Sequence, residues 1–297
     1  MAGGRGAPDP DMNHGIIPYV GGKHRLAYRL VEHCRTAAPK EDLFVDVFGG
    51  SASVLIAAAD SFPKLVYNDL DGDLCNLFRV LARPCDRVRL FRMMRALPVS
   101  RQIFNEDHSE YVGNGFSFHR TADPVERARK TLYRHLMSFG GKTRSGGFCP
   151  SCGDRHRIKE VQRYRNVLRK IVKVGQLFQS AVIENLHYSE LLEMYGARDN
   201  AVLFIDPPYD GTEALYSRGF SRTDHVFLAQ QLACVRAKVV CTYYRTPMIE
   251  DLYPESAWQW TSIQATKNCA FIKGNKTLTN EWVLVRRPGR GLPGTAS

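Results

Sequence analysis

Apolar and polar positions alternate with two different periods along this chain, and the switch between them outlines its elements. Residues 25–38 (RLAYRLVEHCRTAA) carry apolar side chains at helical spacing and stop before Pro39. Residues 43–48 (LFVDVF) form a short apolar run closing on Gly49 and Gly50, which predicts a strand and a turn. A helix over 51–59 follows, with Ser51 in the N-cap place. Residues 65–68 (LVYN) predict the next strand, 69–73 an acidic turn, and 74–81 another helix. Strand–helix alternation of this kind is the signature of a parallel sheet with crossover helices.

The middle reads differently. Residues 83–175 are mostly helical in pattern, broken by glycine-bearing stretches at 113–115 and 140–153. Alternation then returns, with strands at 181–184, 201–205 (AVLFI) and 238–242 (KVVCT) and a helix at 224–235. Residues 258–263 and 282–285 (WVLV) predict two last antiparallel strands. The pattern therefore divides into a discontinuous sheet domain, 15–85 and 176–288, and a helical insert, 86–175. Residues 1–14 and 289–297 are poor in core-forming side chains and are expected to be flexible tails. No run approaches the length of a membrane span, and the N-terminus lacks the apolar segment of a signal peptide.

Charge sharpens the division. Residues 79–173 hold 22 Lys and Arg against 8 Asp and Glu, or +14 of a chain total of +11; the remainder is −3. A basic block of this size raises the local concentration of a polyanion such as DNA or RNA and makes binding salt-dependent, unless it is no more than a set of solvated helix faces. The eight cysteines are too sparse for a secreted disulfide scaffold and point to a reducing, cytoplasmic setting. Cys34, Cys75 and Cys234 fall in helical patterns, where a thiol acts as a small hydrophobe. His135 and Met137, and most of the aromatics Tyr133, Phe139, Phe148 and Tyr164, read as core residues.

The strongest chemical signal is Asp206-Pro207-Pro208-Tyr209, directly after a fully apolar strand. Ligands of open α/β sheets bind outside the carboxyl ends of the strands. An aryl amine is a poor nucleophile because its lone pair is delocalised into the ring. The Asp206 carboxylate can accept one N–H and a main-chain carbonyl of the proline pair the other, favouring a pyramidal nitrogen. The prolines have no N–H and fixed φ, so that carbonyl can stand clear of the strand ladder. Tyr209 offers a ring on which an extruded base can stack. A second signal is Asp46-Val47-Phe48-Gly49-Gly50-Ser51, a strand leading into a glycine turn and a helix, where a ligand can approach the backbone. Asp69, at the end of the next strand, can bind ribose hydroxyls. Tyr19-Val20-Gly21-Gly22-Lys23 is a third, weaker signal: two glycines before a Lys can place a cation near a carboxylate, or simply form a turn with a solvated Lys.

In order, PYVGGK (18–23), FVDVFGGSAS (44–53), YNDLD (67–71), FIDPPY (204–209) and TNEWVLV (279–285) resemble the Dam-type, D12 class DNA adenine-N6 methyltransferases. The resemblance implies a Rossmann-like seven-stranded α/β sheet with a reversed final strand and an inserted helical target-recognition domain. It implies S-adenosyl-L-methionine as cofactor, double-stranded DNA as partner and extrusion of the target base. By position, Tyr19 and Lys23 would contact the methionine part, and Phe48, Gly49, Gly50 and Ser51 would line the cofactor pocket. Asp69 would hold the ribose. Asp206, Pro207, Pro208 and Tyr209 would form the catalytic set, with Asp206 also bordering the cofactor. The chain departs from the pattern at Ala52, where the family often has glycine, at Tyr19 in place of Trp, and at Cys149 in place of the Asn of a G-x-F-N-x-P turn. Cys149-Pro150-Ser151-Cys152-Gly153, with His156 nearby, has the look of one zinc knuckle but lacks a second pair, and no metal is expected. Methylation of cytosine N4, and a non-catalytic DNA-binding protein with a vestigial pocket, are the competing readings. Protein partners are unspecified, and a monomer is the default.

Overall fold

The residues of the two central strands are buried on both faces, which is why they read as continuous apolar runs rather than alternating ones. The computed structural model describes residues 15–19, 21–139, 146–148, 159–210, 220–266 and 278–287. The first part comprises α1 (Ala27–Ala37), β1 (Leu43–Asp46), α2 (Ser53–Ala58), β2 (Lys64–Asn68) and α3 (Gly72–Ala82). Four helices follow: α4 (Pro84–Ala96), α5 (Arg101–Gly113), α6 (Pro124–Met137) and α7 (Lys159–Gln179). Then come β3 (Ala181–Glu184), α8 (Tyr188–Tyr195), β4 (Ala201–Ile205), α9 (Arg222–Cys234), β5 (Lys238–Tyr243), α10 (Pro247–Leu252), β6 (Trp258–Thr266) and β7 (Leu278–Arg286).

The strands form one seven-stranded sheet in the order β3-β2-β1-β4-β5-β7-β6. The first five are parallel, and β7 runs antiparallel to both β5 and β6. This is the expected Rossmann-like α/β sheet with its reversed last strand. The chain proceeds outward from β1 through β2 to β3, then returns to β4 on the other side. The switch point lies between β1 and β4, where such sheets open a crevice. Reversal of β7 has a direct effect on placement. Tyr243 pairs with Trp282, so Glu281, the preceding residue, sits at the carboxyl end of the parallel strands.

Side chains of alternate parity feed two cores. Phe44, Tyr67, Val202, Phe204, Val240 and Val283 pack with α1, α2, α3, α6 and α7; Val45, Leu203, Val239, Cys241 and Leu284 pack with α8 and α9. The helices after α3 share the first core. Phe178 of α7 stacks on Phe78 of α3 at 4.4 Å and meets the Tyr67 ring at 5.7 Å. Arg286, at the far end of β7, donates to the carbonyls of Leu232 (2.6 Å) and Ala233 (3.2 Å) and to that of Val235, capping the end of α9.

Three local expectations are corrected. Ser51 is not an N-cap: α2 starts at Ser53, and its N-cap position is Ala52, in the left-handed region at φ 59° with no side-chain cap. Gly50 (φ 48°) and Ala52 both adopt positive φ, so the turn is tighter than a simple strand-to-helix step. Glycine suffers no penalty there, whereas alanine costs about 1 kcal/mol or more. Cys234 ends α9 and is exposed, unlike the buried Cys34 and Cys75. Tyr133, His135, Met137 and Tyr164 are buried as expected, but Phe139 is half exposed.

Candidate active site

A cleft opens at the carboxyl edge of β1, β2 and β4. Its walls include Tyr19, Lys23, Phe48, Gly49, Gly50, Ser51, Asp69, Asp206 and Pro208, so residues from four separate sequence motifs meet in one place. Tyr209 is buried beside it, under the Lys23 ammonium, which lies 4.8 Å from the ring centroid. Pro207 is likewise buried.

The glycine turn holds its shape through bonds to the next strand. The Gly50 amide donates to Asp69 Oδ2 at 2.8 Å, and the Tyr67 hydroxyl donates to the Gly50 carbonyl at 2.8 Å. Gly49 has no room for a side chain: a Cβ there would lie 2.2 Å from Tyr67 Cε2. The Asp71 amide donates to Asp69 Oδ1 at 2.8 Å, which fixes this carboxylate at the mouth of the cleft. Asn68 bridges to the opposite wall, donating to the carbonyls of Val47 (2.9 Å) and Leu186 (3.2 Å) and accepting from the Leu186 amide (2.9 Å). Beyond it, Phe48, Tyr188 and Phe220 form three mutually adjacent rings with centroids 5.7–5.8 Å apart.

At the other end of the cleft lies a charged cluster. Lys23 Nζ is 2.8 Å from Asp206 Oδ1 and 3.1 Å from Glu281 Oε1, and it donates to the Gly21 carbonyl at 3.0 Å. The Thr242 hydroxyl donates to Asp206 Oδ1 at 2.6 Å, and the Tyr209 hydroxyl donates to Glu281 Oε1. Burial pushes the Asp206 carboxyl above its ordinary value; Lys23 opposes this most strongly, and the nearby Glu281 adds to the rise. Tyr209 is likewise held well above the usual phenol range, first by burial and then by Asp206 and Glu281.

Asp46, the last residue of β1, is the most anomalous group in the cleft wall. It is 2% exposed and its Oδ1 has no hydrogen-bond partner. Burial, then the carboxylates of Asp206 and Asp69, raise its pKa well above the ordinary value, while the Leu55 amide and Lys23 pull the other way. An orphaned buried carboxyl oxygen facing a cleft is a group built for a cationic or N–H-bearing ligand.

The sequence motifs thus converge as expected, but Asp46, Thr242, Glu281, Tyr188 and Phe220 were not assigned roles by them. The signal for Glu281 was present. It shares the parity of Val283, so a charged residue stands on the buried face of a strand. Cys149, Cys152 and His156 lie outside the described residues; among the described ones, no group of three or more His, Cys, Asp or Glu could hold a metal ion. No helix among them is long and apolar enough to cross a membrane.

Comparison with known proteins adds three findings. A sequence profile described as D12 class N6 adenine-specific DNA methyltransferase matches residues 19–269. A curated protein of Escherichia coli, Retron Ec67 DNA adenine methylase, is 25% identical over 300 residues, covering 95% of this chain and 97% of that one. Among solved structures, the rRNA methyltransferase aviRa from Streptomyces viridochromogenes aligns over 95% of this chain and 94% of its own, at 15% identity and a TM-score of 0.44.

Proposed function

We propose, given that this chain belongs to the D12 class N6 adenine-specific DNA methyltransferase family, how its cleft carries out adenine-N6 methylation of DNA. The donor is S-adenosyl-L-methionine, which supplies an electrophilic methyl group on a sulfonium. The residues present fit it. The Phe48, Tyr188 and Phe220 rings suit an adenine, Asp69 suits the ribose hydroxyls, and the unpartnered Asp46 oxygen suits the ammonium of the amino-acid end. Gly49, Gly50 and Ser51 let the ligand approach the main chain, and Tyr19 and Lys23 border the methionine end.

The target adenine reaches Asp206 only after leaving the helix stack, since the acceptor lies within a cleft rather than on a groove-facing surface. There Asp206 accepts one amine N–H and a carbonyl of Pro207 or Pro208 accepts the other. Tyr209 supplies the stacking face. Orientation of the amine beside the methyl group contributes much of the acceleration.

The helical segment 86–175 is the target-recognition element, and 15–85 with 176–288 the catalytic part. Its charge is not all available to DNA. Arg127 pairs with Asp73, Arg129 with Asp107 and Glu126, Lys130 with Glu110, and Arg89 with Asp123. Arg92, Arg95, Arg101, Arg120, Arg165 and Arg169 remain exposed on its surface and are the residues to meet phosphates.

The observation that carries this reading is the meeting of Asp206, Lys23, the Gly49–Gly50 turn and Asp69 in a single cleft at the switch point. Its test is Asp206→Ala. Nucleoside mass spectrometry should find N6-methyladenine in DNA treated with the natural protein and none with the variant, while nonspecific DNA binding stays within about twofold. Turnover retained by the variant refutes the assignment, and N4-methylcytosine from the natural protein replaces the substrate base.

A further inference from the structure

The charged cluster contains one more anion than the reading above uses. Glu281 is 5% exposed and stands outside the lining of the cleft, yet it meets both Lys23 and Tyr209. Burying a carboxylate is costly unless it is paired, and Asp206 already offers Lys23 a partner at 2.8 Å. With Glu281 added, the three side chains carry a net charge of about −1 in an enclosed place, where unbalanced charge is most expensive.

We infer that Glu281 is a positioning and charge-balancing residue for methyl transfer, fixing Tyr209 and Lys23 and supplying the anion that lets Asp206 take up the amine proton beside a lysine. The inference rests on Asp206 being the acceptor of the target amine.

Glu281 keeps the site electrically balanced through the step. Both the Lys23 and Thr242 contacts fall on Asp206 Oδ1, leaving Oδ2 toward the amine. As the nitrogen–carbon bond forms, the carbon–sulfur bond breaks and its electron pair goes to sulfur, which becomes a neutral thioether. The amine then carries the positive charge and two protons; one passes to Asp206 Oδ2, leaving a neutral methylamino group. Before the step, two carboxylates balance Lys23 and the sulfonium. After it, Asp206 is neutral and Glu281 alone balances Lys23. The site is neutral at both ends of the reaction. Without Glu281 it is positive at both, and protonation of Asp206 would leave the Lys23 ammonium uncompensated. Meanwhile the hydroxyl bond to Glu281 and the Lys23 contact over the ring fix the orientation of Tyr209.

The test compares Glu281→Gln, which keeps an acceptor for the Tyr209 hydroxyl but removes the charge, with Glu281→Asp, which keeps the charge at shorter reach. Single-turnover methylation by E281Q should fall roughly 10- to 100-fold. The acid limb of its pH–rate profile should move down by roughly one pH unit, as loss of a neighbouring anion makes Asp206 a weaker base. E281D should lose rate with its acid limb unmoved. Calorimetry without DNA supplies a readout independent of turnover: E281Q should bind S-adenosylmethionine less well relative to neutral S-adenosylhomocysteine, by several-fold. If E281Q does not melt cooperatively, E281D decides, and a shifted acid limb in that variant overturns the inference. So does E281Q with the natural limb and the natural preference for the cationic ligand. A natural protein that neither binds the cofactor nor methylates DNA sinks the proposed function together with this inference, whereas one that methylates normally beside an unaltered E281Q sinks the inference alone.

Discussion

Asp46→Asn should make the protein more stable and less able to bind its cofactor. The buried Asp46 carboxyl has an orphaned oxygen and two carboxylates, Asp206 and Asp69, in its surroundings. Its folded pKa is raised well above the ordinary value, first by burial. In the unfolded chain it ionises near pH ~3.9. The folded state therefore retains a proton that the unfolded state releases, and stability falls as pH rises from the unfolded value to the folded one. The loss is about 1.4 kcal/mol for each pH unit in that interval. Asparagine has nearly the same shape and does not titrate, so the variant lacks this loss. For a chain of this size the gain is about 2–4 °C in Tm per kcal/mol. The difference in Tm between variant and natural protein should be small below about pH 4, open as pH rises, and level off above the folded pKa. Above the folded pKa, where Asp46 is ionised, the same substitution takes away the anion offered to the ammonium of the proposed cofactor. A charge-assisted hydrogen bond is worth about 1.5–3 kcal/mol, so affinity should drop roughly 10- to 100-fold. Thermal melts between pH 4 and 8.5, with and without S-adenosylmethionine, measure both effects. A variant that melts lower than the natural protein at neutral pH, or that binds the cofactor equally well, refutes the reasoning.

Two further outcomes follow from the geometry. Gly49→Ala places a methyl 2.2 Å from Tyr67 Cε2 and 2.9 Å from the Asn68 carbonyl oxygen, with Tyr67 itself wedged against Phe78 and Phe178. It should cost about 3 kcal/mol or more in a urea melt, and a loss under about 1 kcal/mol would show the turn to be looser than described. DNA binding measured against salt should give a slope of about −4 to −5 in log–log form if some five of the exposed arginines each neutralise a phosphate, and a slope shallower than about −1 would remove the insert as the DNA-facing element.

The sheet was largely legible because its strands are short apolar runs bounded by glycine, proline and acidic turns. The boundaries of β3 and β4 coincide with the strands expected at 181–184 and 201–205. Contiguous site motifs were legible for the same reason: a glycine turn or a proline pair has a local backbone meaning. The Ser51 cap failed because the left-handed residues Gly50 and Ala52 leave no helical turn for it to cap, and alanine gives no local hint of positive φ. Tyr188 and Phe220 come to the cleft, and Thr242 and Glu281 to the charged cluster beside it, singly and from separate elements that only the fold brings together. Asp46 lay inside a motif, but its significance is that its oxygen is unpaired, and pairing is a property of three dimensions.

The reversed strand places the completion of the cleft late in the chain's synthesis. Among the described residues β6 has its one sheet neighbour in β7, which also wedges between β6 and β5 and follows the other six described strands in synthesis. A growing chain can therefore assemble β1 to β5, with Asp46, Asp69 and Asp206 already in line, before Glu281 exists to hold Lys23. Until that insertion, the nascent protein lacks the carboxylate that meets Lys23 and Tyr209, so the charged cluster is finished in one step rather than by degrees.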